Sequence, residues 1–160
     1  MNVDLHSHFF PIEALSNPGK YQDRAPKIVL DQGKLSVTSQ IGMRAGLGEG
    51  AYDALARIKA LDAMSIDLQA ISPSPILLFY WEEPAVAAHF SRKQNEAIQE
   101  IVKKHPDRFV GFFMLDPAVG DPAARARRAL GELGLRGICL FPAMHHVPVH
   151  DDRIHQIVSV

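Results

Sequence analysis

The sequence has little of several things, and each scarcity excludes a class of protein. It contains a single cysteine, Cys139, so an internal disulfide is excluded. No apolar run approaches the roughly 18 residues of a membrane-spanning helix, and the N-terminus lacks the basic and apolar regions of a secretory signal. The net charge of −1 provides neither a basic field for nucleic acid nor an acidic tail. We therefore expect a cytoplasmic protein without nucleic-acid or membrane partners.

The composition is that of a globular protein with one core. Of the 160 residues, 47% are hydrophobic and 22% are charged, which is too apolar for a disordered chain. Cys139 lies within the apolar run 137–141, and we expect it to be a small buried core residue.

The most informative stretch is Asp4-Leu5-His6-Ser7-His8. Alternate residues of a strand share a face, so an extended conformation places Asp4, His6 and His8 together. The histidine Cα atoms would lie about 7 Å apart, close enough for both rings to approach one divalent ion at about 2.1 Å. A His-x-His pair is more often found at a solvated strand edge. Here, however, a carboxylate on the same strand face precedes the pair, and the apolar segment Phe9-Phe10-Pro11, which would end the strand, follows it. The pair therefore predicts metal ligands at the end of the first strand.

The rest of the chain alternates between strand-like and helix-like patterns. Residues 12–50 are rich in glycine and proline and lack helical periodicity, and within them residues 28–38 predict a small hairpin. Beyond this segment, apolar spacing predicts helices over 51–65, 84–104, 121–133 and from 151 or 152, and strands over 66–72, 109–115 and 138–142. This order is typical of βα units around a parallel sheet.

The chain is too short for a complete barrel of such units, which takes about 250 residues. We therefore predict an α/β fold: a partial (β/α)8 TIM barrel made of its first four βα units, with a small β-hairpin insertion after strand 1. In this interpretation residues 1–160 form a single, incomplete domain, and residues 12–50 form an inserted hairpin or lid.

The stretch from Asp4 to Pro11 resembles the first-strand signature of the amidohydrolase superfamily. Its continuation, Phe9-Phe10-Pro11, is most similar to the aminocarboxymuconate-semialdehyde decarboxylase branch, as are the run 71–75 and Trp81 further along. Phosphoesterases of the polymerase-histidinol-phosphatase type and Mg-dependent deoxyribonucleases also open with His-x-His, but the apolar residues after His8 differ from their pattern.

The resemblance implies a metal-dependent enzyme that hydrolyses or non-oxidatively decarboxylates a small carboxylated substrate through a metal-activated water. It implies one divalent ion, Zn2+ first and Mn2+ second, held by His6 and His8. Asp4 would hydrogen-bond a ligating imidazole or ligate the ion directly. The family's further histidines and its catalytic aspartate lie on later strands and match no position here, so the catalytic residues stay unassigned.

Three further residues are candidates for contacting the substrate. Arg44 best matches a family arginine used toward a substrate carboxylate, Trp81 would stand at the barrel mouth, and His145 belongs to a histidine-rich loop. The alternative, from a different functional class, is a catalytically inactive half-barrel that acts as an oligomerisation or interaction module, because open strand edges favour pairing. We expect a homo-oligomer or a complementing chain as partner.

Overall fold

The computed structural model describes residues 1–42, 44–144 and 147–160, apart from the side chains of Arg44, Ala45 and Ala143. Its strands are β1 (Val3–Phe9), β2 (Lys27–Asp31), β3 (Lys34–Thr38), β4 (Arg44–Leu47), β5 (Leu68–Pro73), β6 (Phe109–Phe113), β7 (Gly137–Ile138), β8 (Ala143–Met144) and β9 (Val147–Pro148). Its α-helices are α1 (Ile12–Ser16), α2 (Ala54–Ala63), α3 (Pro84–Lys104), α4 (Pro122–Gly131) and α5 (Asp152–Val158). Short 3-10 helices cover Gly19–Arg24, Glu49–Ala51 and Pro75–Leu77. None of the described helices is long and apolar enough to cross a bilayer.

A parallel sheet of four strands organises the molecule. Its order is β1-β5-β6-β7, so each strand lies beside the next parallel strand along the chain. The three connections between them contain α2, α3 and α4 in turn. This arrangement confirms the predicted α/β class with a parallel sheet. It also brings the carboxyl ends of the four strands to one edge, where parallel α/β folds build their sites.

The main core lies between this sheet and the helices. Leu61 of α2, Ile98 of α3 and Ala126 of α4 are buried together with Ile71 of β5 and Phe113 of β6. Burial of apolar surface, worth about 25 cal/mol per Å², supplies the main driving force for this packing.

Helix α2 buries a narrower apolar face than its sequence pattern predicts. Apolar residues recur at helical spacing at Leu55, Ile58, Leu61 and Met64, but Leu55 and Met64 are 67% and 59% exposed. Ile58 is half-buried against the core, and the charged residue before it, Arg57, which lies one turn before Leu61, is half-buried as well. Asp53 caps this helix by accepting a hydrogen bond from the amide of its third residue.

A second, antiparallel sheet is built from the segment 12–50. β3 pairs with β2 on one side and with β4 on the other, and its alternation buries Leu35 and Val37 completely. These two side chains belong to a second apolar cluster with Phe79 and Phe90, whose rings stack 4.0 Å apart. The segment also contains α1, which the sequence pattern did not predict. The segment is therefore packed against the body of the protein.

The last strand of the parallel sheet is shorter than predicted. β7 pairs with β6 only through Gly137 and Ile138, and the amide of Cys139 then donates to the carbonyl of Phe113.

Cys139 is half-buried, so the prediction of a buried core residue was wrong. The Cys139 side chain is partly exposed because it lines an open cleft of the sheet and does not belong to the core under the helices.

Gly111 of β6 occupies a position where close packing leaves no room for a side chain. A methyl group there would lie 2.5 Å from Leu135 Cδ2 and 3.0 Å from Ile98 Cγ2, both on buried residues. We predict that Gly111→Ala lowers the free energy of unfolding by about 1–3 kcal/mol, because overpacking forces neighbours off their preferred positions. Urea unfolding measures the effect. Gly131→Ala is the matched control, since its methyl meets nothing within 4 Å, and equal stability of the two variants would contradict this packing.

Candidate functional site

A cleft of about 320 Å³ opens near the carboxyl ends of the parallel strands. It is lined by residues from all four of these strands or from the segments directly after them. Its polar lining consists of His6, Ser7, His8, Ser72 and Cys139, and the remaining lining is apolar. The cleft therefore combines a small polar group of residues with a surface suited to an apolar molecule.

His6 and His8 lie against each other in this cleft. Their ring centroids are 4.9 Å apart, with the ring planes at 80°. Two imidazoles that bind one Zn2+ at about 2.1 Å, with a tetrahedral angle between them, hold their centroids about 5 Å apart. His6 is exposed and His8 is half-buried, so an ion can reach the pair. The spacing of the rings fits a shared divalent ion.

One ring nitrogen of His8 is held by the neighbouring strand. His8 Nδ1 lies 3.0 Å from Ser72 Oγ, and the Ser72 hydroxyl donates to the carbonyl of Ser7 at 3.2 Å. A hydroxyl carries one hydrogen, so Ser72 Oγ accepts from Nδ1–H and the lone pair of His8 resides on Nε2. Burial, followed by the proximity of His6, lowers the pKa of His8. Both effects favour the neutral ring that metal ions bind.

β1 contains one extra residue relative to β5, close to the histidine pair. Asp4 pairs with Gln69 and Ser7 with Ile71, so three steps along β1 match two along β5. This bulge breaks the simple alternation that predicted Asp4 beside the rings. The Asp4 carboxylate instead accepts from Gln69 Nε2 at 2.7 Å and from the backbone amide of His6 at 3.1 Å, two bonds that lower its pKa. Asp4 thus holds the backbone amide of His6, on the side away from His8.

The histidine pair is short of a complete metal site. Within residues 1–42, 44–144 and 147–160, no group of three or more His, Cys, Asp or Glu side chains is placed to hold an ion. A catalytic zinc site keeps three protein ligands as a rule. The described residues therefore bring two imidazoles together, fewer than the three ligands that such a site keeps.

The predicted substrate residues lie apart from the pair or outside the described part of the chain. Arg44 begins β4, where its backbone pairs with Thr38, and its side chain belongs to the undescribed part. Trp81 packs against the second apolar cluster and stacks on Phe79 with ring centroids 5.8 Å apart. His145 lies outside the described residues. Among the described candidates, the structure brings the rings of His6 and His8 together, and Asp4 contacts the backbone amide of His6.

Sequence reasoning missed three polar residues that support the pair. Ser72 is the last residue of the predicted strand 66–72, and only the register of β5 with β1 places it beside His8. Gln69 carried a signal, since it is a polar residue between two apolar ones, Leu68 and Ala70. The signal for Arg57 was weaker: it stands four residues before the buried Leu61, a spacing that places both on one face of a helix.

Comparison with known proteins identifies the family. The profile of the family described as Amidohydrolase matches residues 3–159. A curated protein of Dictyostelium discoideum, 2-amino-3-carboxymuconate-6-semialdehyde decarboxylase, is 26% identical in an alignment of 144 positions that covers 86% of this chain and 39% of that protein.

Solved structures of two decarboxylases share the fold. The 5-carboxyvanillate decarboxylase of Novosphingobium aromaticivorans, with bound manganese, has a TM-score of 0.72 and 17% identity over 99% of this chain and 47% of that one. The 2,6-dihydroxybenzoate decarboxylase of Rhizobium has a TM-score of 0.53 and 24% identity over 86% of this chain and 37% of that one.

The chain spans less than half the length of each of these three relatives. The family profile nevertheless matches nearly all of it, and this match confirms the resemblance seen at residues 4–11. The chain belongs to the amidohydrolase family.

Proposed function

We propose that the chain supplies the first four βα units of an eight-stranded barrel, as one domain in which residues 12–50 form an inserted lid. The sheet order supports this, as does the overlap of nearly the whole chain with less than half of a solved decarboxylase. On β1, Val3 is 40% exposed and Leu5 is 70% exposed. Such exposure is expected for strand residues that further barrel elements would cover.

The proposed centre holds one divalent ion, zinc or manganese, between His6 and His8. The observation that carries this proposal is the 4.9 Å separation of the ring centroids in an accessible cleft. Asp4 supports the pair through the backbone of His6. The proposed centre needs at least one further ligand, which the described residues do not place beside the pair. A bound divalent ion would polarise substrate oxygens and stabilise developing negative charge.

The proposed reaction is decarboxylation of a small carboxylated aromatic substrate, which the names of the relatives favour over hydrolysis. In this reaction the bond between the carboxylate carbon and the substrate carbon breaks, the electron pair stays on the substrate carbon, a proton replaces the carboxylate there, and CO2 leaves. The apolar lining of the cleft suits an aromatic ring. Arg44, Trp81 and His145 remain the proposed substrate contacts.

Release of CO2 tests the reaction. The protein is loaded with Mn2+ or Zn2+ and incubated with 5-carboxyvanillate or 2,6-dihydroxybenzoate, and CO2 and substrate are measured together. One CO2 per substrate consumed, abolished by EDTA, supports decarboxylation. Substrate loss without CO2 would contradict decarboxylation. The second candidate is an interaction module, which the exposed Leu5 and the incomplete ligand set among the described residues favour. This candidate predicts a size-exclusion mass that does not change when the metal is removed.

Removal of the histidines is expected to remove the metal. We predict that the double variant His6→Ala, His8→Ala retains roughly a tenth or less of the zinc bound by the unmodified protein, because both imidazole ligands are gone. Elemental analysis after dialysis against limiting zinc measures the content. His155→Ala is the control, since this exposed histidine of α5 does not line the cleft. Equal zinc in the double variant and the control would refute the metal centre.

The hydroxyl of Ser72 is expected to tune the affinity of the pair. We predict that Ser72→Ala weakens zinc binding about 10–100-fold, because His8 loses the acceptor that fixes its ring orientation and tautomer. A competition titration with a coloured chelator measures the dissociation constant. Ser91→Ala is matched to it, since the buried Ser91 donates one hydrogen bond to the carbonyl of Met114, away from the imidazoles. An affinity loss of the same size in both variants would contradict a specific role.

A further inference from the structure

The bulge leaves part of β1 without regular pairing to β5. Between Asp4 and Ser7 the register with β5 shifts by one residue, so the regular ladder is interrupted on either side of His6. A bulged strand has locally unpaired backbone groups and can bend or twist. The two proposed ligands lie at this interruption and just after it. Chain connectivity limits the distance between the two backbones. Within that limit, other contacts must set their spacing and relative orientation.

A single guanidinium group lies directly behind this interruption. Arg57 of α2 donates from Nη2 to the carbonyl of His8 at 2.9 Å and from Nη1 to Ser7 Oγ at 3.2 Å. Nη1 also donates to Gln69 Oε1 at 2.9 Å. Its Nε donates to the carbonyl of Gly50, in the loop before α2. The planar fork of the guanidinium thus joins β1, β5 and this loop.

A second path leads from the same guanidinium to His6. Gln69 accepts from Arg57 through Oε1 and donates through Nε2 to Asp4 at 2.7 Å. The other carboxylate oxygen of Asp4 accepts from the amide of His6 at 3.1 Å. Arg57 therefore reaches the backbone of His8 directly and the backbone of His6 through two side chains.

The cost of burying a charge argues that these contacts are specific. Arg57 is half-buried between α2 and the sheet, and burial is the main effect that lowers its pKa, opposed by Asp4. A methionine or leucine would fill the same space beside Leu61 without the desolvation penalty. Four acceptors, three of them on β1 and β5, compensate for that penalty only when the strands lie at this register.

We propose that Arg57 is a positioning residue for the metal centre: it fixes the spacing of the His6 and His8 backbones across the bulge, so that both imidazoles reach the same ion. The inference rests on the proposed metal site. It concerns metal affinity, since the guanidinium lies on the helix side of β1 and touches neither ring.

Arg108 offers a matched control at the other end of the same sheet. Its guanidinium donates to the carbonyls of Asp67 and Ile66, at 3.0 and 3.1 Å, and pairs with Asp62 at 2.8 Å. It thus holds backbone carbonyls near the start of β5, in the way that Arg57 holds one near the end of β1. None of its hydrogen bonds reaches the residues of the cleft.

The experiment compares Arg57→Lys with Arg108→Lys in the protein with and without zinc. Zinc affinity is measured by chelator competition, and folding of the metal-free protein by thermal unfolding. We expect Arg57→Lys to weaken zinc binding about 10–100-fold, as for other residues that orient metal ligands. Arg108→Lys should lower the melting temperature by a similar amount and leave the zinc affinity within about twofold.

A second variant separates positioning from general stability. Gln69→Leu keeps the bond from Arg57 to His8 and interrupts the path to Asp4, so we expect a smaller loss of affinity. The losses of Arg57→Lys and Gln69→Leu should not add in the double variant, because both act through one network. If Arg57→Lys does not fold, the zinc affinity of Gln69→Leu is compared with that of Arg108→Lys in its place.

Two results would overturn the inference. The first is a folded Arg57→Lys protein with unchanged zinc affinity, and the second is an equal loss of affinity in Arg108→Lys. Failure of the proposed function has a different signature, since zinc binding would then be insensitive to His6→Ala and His8→Ala as well. Histidine-dependent zinc binding that ignores Arg57 would leave the metal centre intact and refute only its positioning.

Discussion

The parallel pairing of β1 with β5 is the constraint on which the candidate site depends. Because Ser7 pairs with Ile71 and His8 with Ser72, the His8 ring meets a hydroxyl that fixes its orientation. A slip of one residue would exchange the two faces of the strand and bring the histidines to the helix side. Burial of Ile71 under α2 and α3 opposes such a slip, so the apolar core and the histidine pair depend on the same register.

The bulge in β1 shows how the pairing of β1 with β5 accommodates the two histidines. An additional residue between Asp4 and Ser7 interrupts the ladder, and polar side chains replace the missing backbone contacts. Buried polar groups are tolerated when each has a partner, which the chain of bonds from Arg57 through Gln69 to Asp4 provides. Rigid strands backed by such a network hold ligands more accurately than loops do. The arrangement is that of a site supported from behind by polar contacts.

Local pattern was sufficient to predict much of the fold. Apolar periodicity predicted α3 with its bounds, and the apolar run at residues 109–115 predicted β6. The wrong predictions came from contacts between distant residues. The exposure of Leu55 depends on which part of α2 meets the sheet. The partial exposure of Cys139 depends on the cleft that opens beside the end of β7. The bulge, and with it the position of Asp4, follows from the fit of two strands more than sixty residues apart, which no local pattern records.

The central claim is that His6 and His8 bind the same divalent ion. A crystal of the protein grown with Mn2+ and recorded at a wavelength where manganese scatters anomalously tests it most directly. The account predicts one anomalous peak within about 2.3 Å of a ring nitrogen of both histidines, with Ser72 still bonded to His8 Nδ1. Two histidines with no peak between them, or a peak bound to one ring while the other points away, would contradict it.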